Sequence, residues 1–445
     1  MKLLLINLSL RPEGVQCIFP IGIGYIATAV KEAGYEFDVL DMDIHKLKPE
    51  QVIDYPWQKY NVIAFGCIVT GYKIVKELSA IIKLANPNAM IICGNSVASS
   101  IPDILLDNTD VDVAVIGEGD KAIVDILRQY CEIGKFRGKW KGKAVKDINE
   151  LPLLDWDIFD MHKYIAKNKS DIPEPHIVGY AAINAMPINS ARGCIHRCTF
   201  CYQVFCDDLY RYRSIDSIGK EIDILKQKYD INYITFYDDL TLFNKQRVDD
   251  FIAMLTNKGI FWTACCRADL FLQGGDLGQA RRLKQSGCTA LGYSLESANA
   301  DILKSMNKRI SLEGFRQQKA ILDEVGIATL TSLVIGYPQE TEATLKETFD
   351  FCYANNMYPS TGYLLPQPGT PMYAYAVANG YILDEEAYLM AMGDRQDLRL
   401  NMTKIPDARL EKLVHSHLRR IRDKLHLKLT DKQLIKTGVV RQEVK

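Results

Sequence analysis

Short runs of apolar residues alternate along this chain with stretches in which apolar positions recur every three or four residues. The runs predict buried strands and the recurring positions predict amphipathic helices. Strands are expected at Lys2–Leu10, Glu36–Asp41, Val62–Cys67, Ala89–Cys93 and Val113–Ile116. Helices are expected at Ile21–Ala33, ended by Gly34 in the C′ position, at Tyr72–Leu84 and at Lys121–Tyr130. Weaker helical signals fall at Pro49–Asp54 and Asp103–Leu106. Strands apolar on both faces, separated by amphipathic helices, imply a parallel sheet covered on both sides. The expectation for residues 1–134 is an α/β, doubly wound, Rossmann-like or flavodoxin-like domain. Ligands of such domains bind beyond the carboxyl ends of the strands.

Residues 135–185 break the rhythm with Pro152, Pro173, Pro175 and several charges, and read as an interdomain segment with some irregular structure. A second alternation fills residues 186–384. Its strands are expected at Pro187–Ala191, Tyr233–Tyr237, Phe261–Cys265, Ala290–Leu295, Ala328–Ile335 and Thr361–Leu365. Its helices are expected at Ile215–Lys228, Lys245–Asn257, Leu277–Ser286, Leu312–Val325 and Thr341–Asn355. Six such units are too few for a closed eight-stranded barrel. Residues 385–445 read as mainly helical.

Composition removes several classes. The 445 residues suffice for two or three domains, and the formal net charge is −1. No long basic stretch argues for a nucleic-acid groove; the cluster Arg419-Arg420-Ile421-Arg422 lies in a helical pattern and reads as a solvated face. No apolar run approaches the ~18 residues of a membrane span. The start, Met1-Lys2-Leu3-Leu4-Leu5-Ile6-Asn7, lacks a cleavage region and reads as a strand. Twelve cysteines without an export signal fit a reducing cytoplasm.

Three of those cysteines sit together in Arg192-Gly193-Cys194-Ile195-His196-Arg197-Cys198-Thr199-Phe200-Cys201-Tyr202, with gaps of three residues and then two. A 4Fe–4S cluster usually takes four thiolates, so three would leave one iron open to an exogenous ligand. A closed zinc or cluster site completed by His196 or Cys206 is the competing reading, since short Cys clusters often hold a metal structurally.

The Cys-x3-Cys-x2-Cys loop, followed by an aromatic residue, resembles the radical S-adenosylmethionine (SAM) superfamily. The resemblance implies a partial (β/α)6 barrel with this loop after the first strand, and a 4Fe–4S cluster on Cys194, Cys198 and Cys201. It implies SAM bound at the open iron and cleaved to a 5′-deoxyadenosyl radical, with electrons from a donor such as flavodoxin or ferredoxin. An open cluster is oxygen-sensitive, so an anaerobic or well-reduced setting is expected. The same resemblance assigns SAM-contacting positions to Tyr202 near adenine, to Asp238 and Asp239 at the methionyl ammonium, to Ser294 and Glu296 near the ribose, and to Gly336 against adenine. Arg267 suits the SAM carboxylate through paired hydrogen bonds, with an ion pair to Asp269 or Glu296 as the competitor. Asp239 could equally cap a turn. Gln367-Pro368-Gly369-Thr370-Pro371 also resembles the family and is expected on the substrate side.

Pro20-Ile21-Gly22-Ile23-Gly24-Tyr25 and Val115-Ile116-Gly117-Glu118-Gly119-Asp120 narrow the resemblance to the cobalamin-binding radical SAM subfamily, over roughly residues 1–385. The strand-end positions that would surround a corrin are Leu8, Ser9, Gly22, Cys67, Val69, Thr70, Gly71, Gly94, Asn95, Ser96, Gly117, Glu118 and Gly119. Gly22 and Gly24 could instead serve close helix–strand packing. The cobalt-ligating Asp-x-His-x-x-Gly pattern is absent; Asp41-Met42-Asp43-Ile44-His45 has the wrong spacing, so no histidine of this domain is expected on cobalt. The loop Cys67–Tyr72 would then face the lower side of the corrin, which would lie between the two sets of strand ends. The implied activity is methylation of an unactivated carbon of a small molecule. The alternatives are a cobalamin-independent radical SAM dehydratase, cyclase or rearrangement enzyme, and a non-enzymatic cobalamin or iron–sulfur sensor. No catalytic acid or base is assigned, and the substrate is not readable.

Overall fold

A computed structural model describes residues 1–14, 17–168, 183–202, 210–272, 276–393 and 395–435. The chain divides into two compact units: Met1–Lys167, Tyr202–Arg211 and Gln367–Gly393 form the first, and Asn168–Cys201, Tyr212–Pro366 and Asp394–Lys445 the second. These limits differ from the expected ones in returning Gln367–Gly393, read as barrel up to residue 384 and as C-terminal helical region beyond it, to the first unit.

In the first unit β1 (Leu3–Asn7), α1 (Ile21–Glu32), β2 (Phe37–Asp41), β3 (Val62–Gly66), α2 (Tyr72–Ala85), β4 (Met90–Gly94), α3 (Asn95–Ser100), α4 (Pro102–Asn108), β5 (Val113–Ile116), α5 (Ala122–Ile133), β6 (Gly138–Lys141) and α6 (Met161–Asn168) follow in order. The sheet order is β2-β1-β3-β4-β5-β6, all parallel. Leu3, Leu5, Val62, Ala64, Met90, Ile92, Val113 and Val115 pack with Ala27, Val30, Ile123 and Ile126 on one face. Leu4, Ile6, Ile63, Phe65, Ile91 and Cys93, next along the same strands, are equally buried, so both faces are covered, as the continuous apolar runs require.

The sixth strand, β6, falls where only an irregular segment was expected. Its sequence Gly-Lys-Trp-Lys alternates partly buried and exposed residues, which is how an edge strand carrying lysines reads. Two later helices, α13 (Pro371–Ala378) and α14 (Glu385–Ala391), join this unit. Glu386 of α14 takes Tyr72 and Lys76 of α2 as donors. The Gln367–Pro371 motif forms a turn, with Gly369 at φ +88° and Thr370 capping α13 through Tyr373 N.

The second unit begins with β7 (Ala185–Ile188). Then come α7 (Ile215–Tyr229), β8 (Tyr233–Phe236), α8 (Lys245–Leu255), β9 (Phe261–Cys265), α9 (Asp276–Gln285), β10 (Cys288–Gly292), α10 (Ala300–Ser305), α11 (Leu312–Glu324), β11 (Ala328–Leu330), β12 (Ser332–Ile335), α12 (Glu342–Ala354), β13 (Ser360–Tyr363) and α15 (Asp407–Lys424). Strands β7 through β11 pair in sequence order, and β12 pairs with β13, all parallel. The strand expected over 328–335 is thus broken at Thr331. Its hydroxyl accepts from Leu295 N and its carbonyl from Ser360 N, and a bridge between Glu296 and Leu333 carries the sheet across the break. Six strand positions in chain order, each followed by a helix or the C-terminal segment, make the open barrel. The helices expected in this unit over 215–355 lie within two residues of those observed. Pro173, Pro175 and Cys206 lie outside the described residues. Among the described residues no helix is long and apolar enough to cross a membrane.

Candidate functional site

The loop Cys194–Cys201 follows β7 in the second unit. Gly193 precedes it at φ +81°, a left-handed turn that glycine adopts freely, with open space where a Cβ would point. Its shape is fixed from behind. Thr199 N donates to Met306 O at 3.0 Å and Thr199 Oγ1 to Ser305 O at 2.9 Å. Asn307 Nδ2 donates to Arg197 O at 2.7 Å. Tyr337 lies 2.9 Å from Thr199 Oγ1 through its hydroxyl. The thiols themselves are half-buried and free. Burial raises Cys194 and Cys198, and pushes Cys201 up to about 12, with Asp239 and the other two thiols adding to the shift. Metal binding by this set must therefore displace protons. His196 is held below its usual range by burial and by Arg267. Among the described residues no three His, Cys, Asp or Glu side chains converge on the position of a single metal ion. Three neighbouring thiols on a braced loop offer the soft donor set that iron–sulfur clusters take.

The two aspartates after β8 do different things. Asp238 is buried and accepts from Ser190 N at 2.8 Å, Ser190 Oγ at 2.5 Å, Ala191 N at 3.1 Å, Asn189 Nδ2 at 3.2 Å and Thr241 Oγ1 at 3.1 Å. It fastens the segment that leads into the cysteine loop, and its carboxylate is used up in doing so; the expected contact with an ammonium group has no free oxygen edge left. Asp239 has no hydrogen bond or ion pair among the described residues, and desolvation raises its pKa. It acts electrostatically on Cys194, Cys201 and Cys265. It is the carboxylate of the pair that can meet a cation.

Arg267 makes the ion pair named as its competitor: Nε to Asp269 Oδ1 at 2.7 Å and an NH2 bond to Oδ2 at 2.6 Å. A ligand carboxylate would have to displace Asp269. Ser294 shares a 3.0 Å hydroxyl contact with Ser332. Glu296 is buried, 3.2 Å from Lys308 Nζ, and sits at φ +64°. A left-handed non-glycine residue costs about 1–2 kcal/mol, and here Glu296 N to Ser332 O and Val334 N to Glu296 O hold it there. Strain that the surroundings impose so firmly marks functional positions. Gly336 is also left-handed, at φ +108°, with its NH 3.4 Å from Glu340 Oε2. Burial pushes Glu340 up to about 7. Neither Lys308 nor Glu340 was picked out from the sequence. Lys308 follows a short helix that carried no strong periodic signal, and Glu340 lies in a turn.

Tyr202 belongs to the first unit, where its hydroxyl donates to Ser96 O at 2.8 Å.

At the strand ends of the first unit, alternation sorts the predicted cobalamin positions. Cys67 and Val69 are 2% and 0% exposed, whereas Ile68 between them is 43% exposed, and Leu10 is 39% exposed. Burial pushes the Cys67 thiol up to about 12. The outward residue of this loop is therefore Ile68, which the sequence reading passed over, while the side chains of Cys67 and Val69 turn into the fold. Thr70 is half-buried. A Cβ on Gly71 would lie 2.7 Å from Leu10 Cδ2 and nearer still to the Cys67 sulfur; one on Gly119 would lie 2.8 Å from Ile26 Cδ1. A Cβ on Gly117, which sits at φ +88°, would press on Gly142 O at 3.0 Å. These glycines serve packing. Gly24 faces Leu154 in the same way, while Gly22 opens onto free space.

Glu118 is also consumed. Its carboxylate accepts from Arg211 NH2 at 2.6 Å, Arg211 NH1 at 3.1 Å and Val145 N at 2.9 Å. Leu8 and Ser9 are buried, Ser9 donating to Asp43 at 3.0 Å. Ser96 is buried and accepts from Val69 N at 2.9 Å. Gly94 is half-buried, and Asn95 is exposed at φ +66°. What these strand ends offer outward is thus the aliphatic side chains of Leu10 and Ile68, the bare backbone of Gly66 and Gly22, and the carboxamide of Asn95. That chemistry fits a large ring with apolar faces.

Two family profiles match the chain: the B12 binding domain over residues 13–127 and the Radical SAM superfamily over residues 188–352. This chain belongs to the radical SAM proteins that carry an N-terminal B12-binding domain. It is 26% identical over 390 residues to an uncharacterized methyltransferase of Pyrococcus horikoshii, covering 82% of this chain and 80% of that one. It is 24% identical over 357 residues to the anaerobic magnesium-protoporphyrin IX monomethyl ester cyclase of Rubrivivax gelatinosus, covering 74% of this chain and only 61% of the cyclase. Its fold is similar to that of the radical SAM methyltransferase TsrM from Kitasatospora setae, solved with cobalamin and a 4Fe–4S cluster, at a TM-score of 0.67 and 14% identity over 95% of this chain and 88% of that one. The radical SAM match implies a 4Fe–4S cluster and SAM, and the B12-binding match supports cobalamin.

Proposed function

We propose that this protein is a cobalamin-dependent radical SAM methyltransferase acting on an unactivated carbon of a small molecule. The observation that carries the radical half is the braced loop of three neighbouring thiols, Cys194, Cys198 and Cys201, beside an unpaired Asp239. In the superfamily the bound cluster supplies the electron that cleaves SAM, and cobalamin supplies the methyl group.

The chain's own residues do the rest. Cys194, Cys198 and Cys201 would hold the cluster through their thiolates. Asp239 accepts the SAM ammonium, and Asp238 holds the loop it approaches. Glu296, locked in its left-handed conformation with Lys308 as counter-ion, presents a carboxylate to the ribose hydroxyls. Gly336 lets backbone approach the adenine. Arg267 reaches the SAM carboxylate only by leaving Asp269. In the first unit, Ile68 and Leu10 would give the corrin an aliphatic bed.

The test needs no substrate. The reduced, reconstituted protein should convert SAM to both 5′-deoxyadenosine and S-adenosylhomocysteine, the second product only when cobalamin is present. 5′-Deoxyadenosine formation with no cobalamin-dependent S-adenosylhomocysteine would support a cobalamin-independent cyclase-like enzyme, the reading favoured by the cyclase among its relatives.

A further inference from the structure

Arg395 stands on the same face of the barrel sheet as the cysteine loop, and successive contacts place it there. Cys265 of β9 is close enough to Asp238, Asp239 and Cys194 for all three to raise its pKa. Its strand partner is Gly292, whose Cβ would lie 3.3 Å from the Cys265 sulfur. Ser294, two residues further on, therefore shares that face, and its hydroxyl meets Ser332 on β12 at 3.0 Å. Ser332 pairs with Ser360, and Val334 with Gly362, on β13. A Cβ on Gly362 would lie 3.2 Å from the Cγ and Cδ of Arg395 and 3.3 Å from its Nε. The stem of Arg395 is thus laid across the bare backbone of the last barrel strand, on the inner face. Its own carbonyl is tied down by Tyr363 N at 2.7 Å.

The guanidinium it carries there is exposed and makes no hydrogen bond or ion pair among the described residues. Other arginines of this unit are already engaged: Arg399 pairs with Asp397, and Arg267 with Asp269. The half-buried hydroxyls of Ser294, Ser332 and Ser360 line the same face beside it. An arginine that merely solvates a surface has no need of a glycine seat on the inside of a barrel. A planar fork of donors held at one position is the group that takes a carboxylate or a phosphate through paired bonds. The cysteine loop follows the first strand and Arg395 lies over the last, so the anion it takes is at the far side of the sheet from the cluster.

We propose that Arg395 is a substrate-recognition residue that binds an anionic group, carboxylate or phosphate, of the molecule acted upon. This rests on the radical SAM reading above.

Phenylglyoxal, which modifies free guanidinium groups, tests it on the full chain reconstituted with cluster, cobalamin and SAM, with modification at Arg395 followed by mass spectrometry. Inorganic phosphate and acetate serve as probes. Arg395 should be modified readily, and one or both anions should slow that modification about tenfold, consistent with a charged hydrogen bond. Protection by phosphate alone assigns a phosphoryl group, and by acetate a carboxylate. Gly362→Val, which fills the seat of the stem, should abolish the protection. Modification that neither anion slows, or protection that survives Gly362→Val unchanged, would overturn the proposal and leave Arg395 a solvated surface charge. 5′-Deoxyadenosine measured in the same wild-type samples separates the two readings. Its absence would contradict the radical chemistry and this inference with it, whereas its presence without protection contradicts this inference alone.

Discussion

The strand ends of the two units look alike in sequence, each dotted with glycines, cysteines and acidic residues, yet the structure uses them in opposite ways. In the first unit most of the marked residues are absorbed by the fold. Gly71, Gly117 and Gly119 make room for neighbours, Glu118 holds Arg211, and Cys67 lies buried. In the second unit Asp239 and Arg395 keep charges unpaired among the described residues, three half-buried thiols lie free on one loop, and Glu296 is held in a strained conformation. Small residues at strand ends report packing at least as often as ligand approach. Charges and donors that the fold leaves unspent report chemistry.

The sharpest break of that comparison is among the cysteines. Replacing any one of Cys194, Cys198 or Cys201 by Ala should abolish reductive SAM cleavage and leave the reconstituted protein without an intact cluster, as read by iron content and 5′-deoxyadenosine yield. Cys67→Ala should retain both. Cleavage that persists in all three loop variants would remove the cluster from this loop.

The aspartate pair should split next. Asp238→Ala strips the partners from several buried donors and should lower stability by about 3 kcal/mol, given that a hydrogen bond to a buried charge contributes roughly 1.5–3 kcal/mol. Asp239→Ala should leave the melting temperature in place and weaken SAM binding about tenfold, by the same magnitude. Equal destabilisation by the two would erase the distinction.

Glu340 gives a pH signature. Its folded pKa of about 7 lies above its usual 4.5 because burial disfavours the charged form. Its contribution to stability is therefore fully present below pH 4.5 and lost as pH rises through 7, by about 3 kcal/mol in all. Glu340→Gln should flatten denaturant-measured stability across that window; an unchanged slope would mean the carboxyl is solvated.

Among the glycines, Gly71→Ala should destabilise by about 1–3 kcal/mol, the usual range for overpacking. Gly22→Ala, in a helix with open space around it, should be neutral or slightly stabilising. A destabilised Gly22→Ala would return that residue to the packing role.

Hydrophobic pattern made most of the architecture legible before the structure. Buried parallel strands are apolar on both faces, and their helices have a clear periodicity, so both α/β units could be drawn. The elements that escaped are those whose pattern is set by an edge or a break. Strand β6 is half solvated, Thr331 splits a run that reads as continuous, and α10 is a six-residue helix without periodic signal. At the site, the spacing of the three cysteines was readable because it is local. The fates of Asp238 and Glu118 were not, because they depend on partners as distant in sequence as Ser190 and Arg211. Ile68 and Arg395 escaped for a simpler reason: an exposed isoleucine and a lone arginine look ordinary until their surroundings are known.

The central claim is that Cys194, Cys198 and Cys201 hold a cluster whose fourth iron is open to SAM. Electron–nuclear double resonance on the reduced, reconstituted protein with SAM labelled at its amino nitrogen and carboxylate tests it directly. The account predicts hyperfine coupling between the cluster and both labelled groups. A reduced cluster that shows no coupling to either, with its spectrum unchanged by SAM, would contradict it.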